Sequence, residues 1–193
     1  MLVIADASPI NALIRISLIE LLPSLYGQVI IPSEVASELS DPRAPSEIGL
    51  FIRASPAWLL IRAPQTLLAF AGLDAGESAA NSLAQESHAD LLLIDERRGR
   101  RVARQMHLQI VGTIGVLELA SIRGLVDLRE AMQRIRQIDF SVSDEIIDAA
   151  FKAGKDWPIS DHRVYVSITT GKLSEQGIAI YYVDQFTGIM INA

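Results

Sequence analysis

The sequence predicts an α/β fold in which a parallel sheet is covered by helices on both faces. Short apolar runs alternate with stretches of helical periodicity, and several of those runs carry no polar position, the pattern of strands buried on both sides. The 193-residue chain is half hydrophobic, with 21% charged and 6% aromatic residues, enough apolar mass for one good core. High aliphatic content, glycine and proline without a period, and the lack of sustained heptads exclude disordered, collagen-like and coiled-coil classes.

Residues 2–5 form the first apolar run, followed by Asp6 and then by Ser8 and Pro9, which read as a helix cap with proline at the first helical position. Ile10, Leu13, Ile14, Leu18, Leu21 and Leu22 recur at helical spacing and predict one helix up to Pro23. Residues 28–31 form a β-branched strand closed by Pro32, and Ser33 is placed to cap a helix through Leu39 that carries Glu34 and Glu38. A loop over 40–46 leads to a helix around Ile48–Ile52 that stops before Pro56, and 59–61 reads as a third strand.

The turn at 72–77 opens an alanine-rich helix to about His88, and 91–94 is the clearest buried strand, with Asp95 and Glu96 directly after it. A helix over 97–107, a short strand over 109–111 and a helix over 113–123 ending at Gly124 follow. Two more helices are expected at 128–138 and 144–153. Beyond them Val164, Val166 and Ile168 alternate, as do Ile178, Ile180 and Tyr182, with Gly171 and Gly177 between the runs. This predicts one α/β domain over residues 1–155 and a C-terminal β-hairpin extension over 156–193. Two strands alone are marginal in water. The extension is therefore expected to pack on the main domain or pair with a second subunit, with a homodimer favoured over a monomer.

No apolar run approaches the roughly 18 residues of a membrane span. Asp6 interrupts the first apolar run and Arg15 lies inside the next, unlike a secretory signal, so a cytoplasmic protein is expected. With no cysteine and only His88, His107 and His162, scattered, any metal must be held by oxygen. The net charge of −6 means that a nucleic-acid partner would need a local basic patch.

In an open parallel sheet, ligands bind beyond the carboxyl ends of the strands. Asp6 and Asp95 each follow a buried strand and are aimed at one crevice, where Glu38 and Glu77 can complete an acidic cluster. Such a cluster repels itself without a counter-charge, and oxygen donors select Mg²⁺ or Mn²⁺. Each acid also has a purely structural reading: Asp6 can begin a turn, Glu38 can belong to a solvated face with Glu34, and Asp74 with Glu77 has the spacing of a capping box. Asp95 and Glu96 can cap the helix that follows. That helix holds five arginines, of which Arg97, Arg100, Arg101 and Arg104 share a face suited to phosphates. Trp58 and Trp157 read as packing residues. No phosphate loop, GxGxxG or GxSxG is present, which weakens nucleotide-binding and serine-hydrolase readings.

The segments VIADASPINAL, YGQVIIPSEVASEL, LDAGESAANSLAQESHADLLLIDERRGRRVAR and VGTIGVLELASIRGLV, in this order, resemble the PIN-domain proteins of the DUF3368 branch, related to VapC-type toxin ribonucleases. The resemblance covers about residues 1–155 and implies a three-layer α/β/α sandwich with a central parallel sheet. The family's acidic positions fall on Asp6, Glu38, Glu77 and Asp95, as catalytic residues and ligands of Mg²⁺ or Mn²⁺. Ser8 is a hydroxyl neighbour of the first, and Glu96 stands where this branch often has a second aspartate. The resemblance implies metal-dependent hydrolysis of single-stranded or loop RNA, leaving a 5′-phosphate and a 3′-hydroxyl, with Arg97, Arg100, Arg101 and Arg104 along the backbone. A toxin would also need a small antitoxin protein as its inhibitor. The competing expectation is a non-catalytic module that binds RNA or a protein on the same scaffold.

Overall fold

The computed structural model describes residues 1–138 and 140, together with short strands at 164–167, 180–183 and 190–192. The chain divides into two compact units, Met1–Thr113 and Ile114–Ala193. In the first, strands β1 (Val3–Ala5), β2 (Val29–Pro32), β3 (Leu59–Arg62), β4 (Leu91–Leu93) and β5 (Ile110–Val111) form one parallel sheet in the order β3-β2-β1-β4-β5. Every residue of β1 and β2 is buried, so successive side chains, which point to opposite faces, are covered on both. The α/β/α architecture expected from the sequence is the one observed.

Helices α1 (Ala7–Arg15), α2 (Leu21–Tyr26), α3 (Ser33–Leu39), α4 (Ser46–Ala54), α5 (Ala75–Glu86) and α6 (Arg97–Gln105) accompany this sheet. Helix α5 lies against β1, β2 and β4 and also touches α3 and α6. Its small residues permit that close approach: Ala80, Leu83 and Ala84 share one core cluster with Ile4, Ile30, Leu92, Ile94, Ala103 and Ile110. Trp58 packs its ring against Phe51 at 5.9 Å between centroids, as a packing residue should.

The single helix predicted up to Pro23 is two helices. Ser17 adopts φ 59° and turns the chain after Arg15. Pro23 is the third residue of α2, where its missing amide costs no helical hydrogen bond. Asp6 rather than Ser8 is the N-cap of α1. These differences move the first acidic residue into the cap position, where its carboxylate makes no side-chain cap bond to the helix.

The second unit contains α7, which starts at the boundary (Thr113–Ile122), and α8 (Leu128–Ile135), capped by Asp127. Strands β6 (Val164–Ser167), β7 (Ile180–Val183) and β8 (Met190–Asn192) pair antiparallel in that order. The β6–β7 pair, with Val164 opposite Val183 and Ser167 opposite Ile180, is the expected hairpin pairing. The third strand was not expected. The predicted helix at 144–153, Trp157 and the boundary at 155/156 lie outside the described residues. No helix among the described residues is long and apolar enough to cross a membrane.

Candidate active site

The strand order reverses between β1 and β4, the point at which open α/β sheets bind ligands. Asp6 emerges there. Its amide donates to the Leu93 carbonyl at 2.9 Å, carrying the β1–β4 pairing one residue beyond the strand. The residue is 3% exposed, makes no side-chain cap bond to its helix, and accepts a long 3.5 Å hydrogen bond from Ser8 Oγ. Burial, with smaller contributions from the negative Glu38, Asp74 and Glu77, pushes its carboxyl up to about 7 even though the Ala7 amide opposes the shift.

A cleft of about 570 Å³ opens over this end of the sheet. Asp6, Ser8 and Asn11 line it from the start of α1, Glu38 from α3, Gly72, Asp74 and Glu77 from the entrance to α5, and Glu96, Arg97 and Arg98 from the start of α6. Glu38 reaches it because residue 76 is glycine: a Cβ there would lie 2.7 Å from Glu38 Oε2. Partial desolvation, then the charges of Asp74 and Glu77, raise the Glu38 carboxyl above the ordinary glutamate range.

The capping reading of Glu77 holds, and it occupies only one of the two carboxylate oxygens. Its Oε2 accepts from the Asp74 amide at 3.1 Å while Asp74 Oδ1 accepts from the Glu77 amide at 2.8 Å, a complete capping box. The other oxygen, Oε1, is buried and accepts no well-formed hydrogen bond, in a residue only 7% exposed. Burial raises the Glu77 carboxyl, the amides of Asp74 and Gly99 oppose that rise, and the charges of Asp74 and Glu96 add to it. A buried carboxylate oxygen without a partner is costly.

The two acids after β4 part company. Glu96 is the N-cap of α6 but makes no side-chain cap bond; it is exposed and faces the cleft. Asp95 does not line the cleft. Its carboxylate accepts from the Thr113 amide at 2.8 Å and the Thr113 hydroxyl at 2.6 Å. Burial raises the Asp95 carboxyl, against the two Thr113 bonds and the positive Arg100.

The arginines divide as well. Arg97 and Arg98 are exposed on the cleft rim, and Arg98 Nη1 donates to the Gly72 carbonyl at 3.4 Å. Among the described residues neither forms an ion pair with a cleft acid, whereas Arg43 pairs with Asp41 and Arg134 with Glu130. Arg101 is exposed away from the cleft lining, whereas Arg100 and Arg104 are half-buried and burial lowers both guanidinium pKa values. Sequence reasoning passed over Asn11 and Arg98 and read Asp74 only as a cap. Arg98 fell outside the helical stripe of the other four arginines, yet the first turn of α6 is what borders the cleft.

The donor chemistry fits a hard divalent cation: carboxylates from β1, α3 and α5, a buried orphan oxygen on Glu77, and raised carboxyl pKa values that a positive charge would relieve. Among the described residues, no three such side chains are already gathered at ligating distance. Residues 2–155 match the model of the family DUF3368, described as a PIN domain. No curated protein and no solved structure matches the chain.

Proposed function

The chain belongs to the DUF3368 family of PIN domains, and on that premise we propose that it is a Mg²⁺- or Mn²⁺-dependent endoribonuclease acting on single-stranded or loop RNA. PIN domains are nuclease folds that generally use divalent metals on nucleic acid. The observation that supports the finer reading is the mix of charge lining the cleft: the buried acids Asp6 and Glu77, the exposed acids Glu38, Asp74 and Glu96, and two exposed arginines that form no ion pair with them among the described residues.

Asp6, Glu38 and Glu77, with one of the two acids after β4, would hold the ion. When bound, it would act as a Lewis acid for phosphate oxygen and generate a nucleophile at neutral pH. Asp6, with its carboxyl pushed up to about 7 by burial, would hold the ion in its ionised form. Glu77 keeps Oε2 on the Asp74 amide, which fixes the direction of Oε1. Arg97 and Arg98 present forked donors at the mouth, where a phosphate on one side of the cut can be held in line. Ser8 steadies one oxygen of Asp6.

The cellular role we favour is that of a toxin held by a small antitoxin, or of an RNA-processing enzyme, in a cytoplasmic homodimer. Expression of the chain alone separates the two: growth arrest with RNA loss supports the toxin, and normal growth with an active enzyme supports processing. A second reading, a non-catalytic RNA- or protein-binding module, is favoured by the absence of a ready-made ligand triad among the described residues. Mn²⁺ titration beside a single-stranded RNA panel decides between them. The nuclease binds Mn²⁺, cuts, and loses both properties on Asp6→Asn; RNA binding without metal affinity or cleavage establishes the module.

A further inference from the structure

We infer that the two adjacent acids after β4 have separate tasks: Glu96 is the one that serves the cleft, and Asp95 is a positioning residue that clasps Thr113 and fixes the turn from β4 into α6. The inference rests on the metal-dependent reading above. The alignment of the strands sets it up. Leu92 pairs with Ile110 and Leu93 with Val111, and the Ile94 amide donates to the Val111 carbonyl at 2.9 Å. Continuing that register places Asp95 beside Thr113, after backbone pairing has ended. The side chain then takes over, with both carboxylate oxygens on the amide and hydroxyl of one fully buried threonine.

The surroundings are built for this clasp. A Cβ at Gly112 would stand 2.7 Å from Asp95 Oδ1 and 3.0 Å from Arg100 Nη1, so only glycine admits the carboxylate and guanidinium there. Arg100, half-buried, supplies positive charge that offsets part of the cost of burying Asp95. Asp95 thus has both carboxylate oxygens in hydrogen bonds and a guanidinium nearby, although burial still raises its carboxyl. Glu96 has the opposite profile: exposed, free of any cap bond, on the cleft wall, and close enough to raise the Glu77 carboxyl. The glutamate's extra methylene carries its charge from the helix cap toward the cleft.

Mn²⁺ calorimetry and thermal melting of the full chain test the division. Asp95→Asn can still accept from the Thr113 amide and donate to its hydroxyl, so it should bind Mn²⁺ within about twofold of wild type and melt close to it. Glu96→Gln should melt unchanged and bind Mn²⁺ roughly tenfold or more weakly, the scale on which site residues act. Asp95→Ala and Thr113→Ala should each lower Tm, and the double variant should fall by much less than the two losses combined. Loss of Mn²⁺ binding in Asp95→Asn with Glu96→Gln unaffected overturns the inference, and so does additive melting of the pair. A wild-type chain that takes up no Mn²⁺ overturns the nuclease reading and the Glu96 assignment together, while the melting cycle still decides the role of Asp95.

Discussion

Asp74 and Glu77 hold each other's backbone amides in a reciprocal box at the start of α5, and this leaves Glu77 with one oxygen spent and one buried without a partner. The cap orients the residue and leaves Oε1 buried beside Gly99, while the charges of Asp74 and Glu96 still raise the carboxyl. A fold usually avoids such an arrangement because each uncompensated buried charge lowers stability. Here it is retained at the strand-order reversal of a PIN domain, where a ligand would be expected.

Asp6→Asn should therefore stabilise the metal-free protein at pH 8. The substitution removes a buried charge that nothing in the apo cleft balances, while the amide keeps the shape. A melting temperature above that of wild type by several degrees is expected in chelator-treated samples; a lower one would mean that Asp6 is satisfied by a structural partner.

The same residue sets a pH dependence. A carboxyl raised from 3.8 to about 7 binds more protons in the folded than in the unfolded chain across that window. Acidification from pH 8 toward 5 should thus raise Tm, and alkalinisation should lower it, with Asp6 contributing at most roughly 4 kcal/mol. Glu118 on α7, also pushed up to about 7 by burial, acts with the same sign, so Asp6→Asn should flatten the profile only in part. Mn²⁺ should raise Tm more at pH 8 than at pH 5.5, because protons compete for the same oxygens. Equal metal-induced shifts at both pH values would place the ion elsewhere.

Gly76→Ala offers a change of one methyl group against Glu38 Oε2. Alanine suits a helix better than glycine, so Tm should move by no more than a degree or two. The displaced carboxylate should weaken Mn²⁺ binding and RNA cleavage by about tenfold, on the scale of lost supporting contacts at metal sites. Unchanged cleavage would remove Glu38 from the site.

On the rim, Arg97→Ala and Arg98→Ala should each weaken RNA binding across sequences and reduce the salt-dependence slope by about one. Arg101→Ala should leave both unchanged, and Arg104→Ala should instead lower Tm, because its side chain is half-buried. Filter binding over a salt series reads the first three variants, and thermal melting reads Arg104→Ala.

Much of this was legible in the sequence because it depends on local pattern. The unbroken apolar runs mark the five parallel strands, and Asp74 three residues before Glu77 marks the capping box of α5, whereas the sequence pattern puts the cap of α1 at Ser8 and it lies at Asp6. What escaped depends on direction rather than spacing. Ser17 breaks α1 with a left-handed backbone that no glycine announces, so the apolar stripe seemed to run on to Pro23. Asp95 and Glu96 are neighbours in sequence, and only the β4–β5 register turns one toward Thr113 and leaves the other on the cleft. The arginine stripe follows helical periodicity, whereas access to the cleft follows the first turn of α6 and so selects Arg97 and Arg98.

The central claim, that the acidic cleft is a metal-dependent ribonuclease site, is tested most directly by the initial rate of single-stranded RNA cleavage in Mn²⁺ by wild type and Asp6→Asn at pH 8. The account predicts cleavage by wild type that chelator abolishes, and a loss on the order of 10²-fold or more in the variant, which melts no lower than wild type. No cleavage by either protein, or equal rates from both, would contradict it.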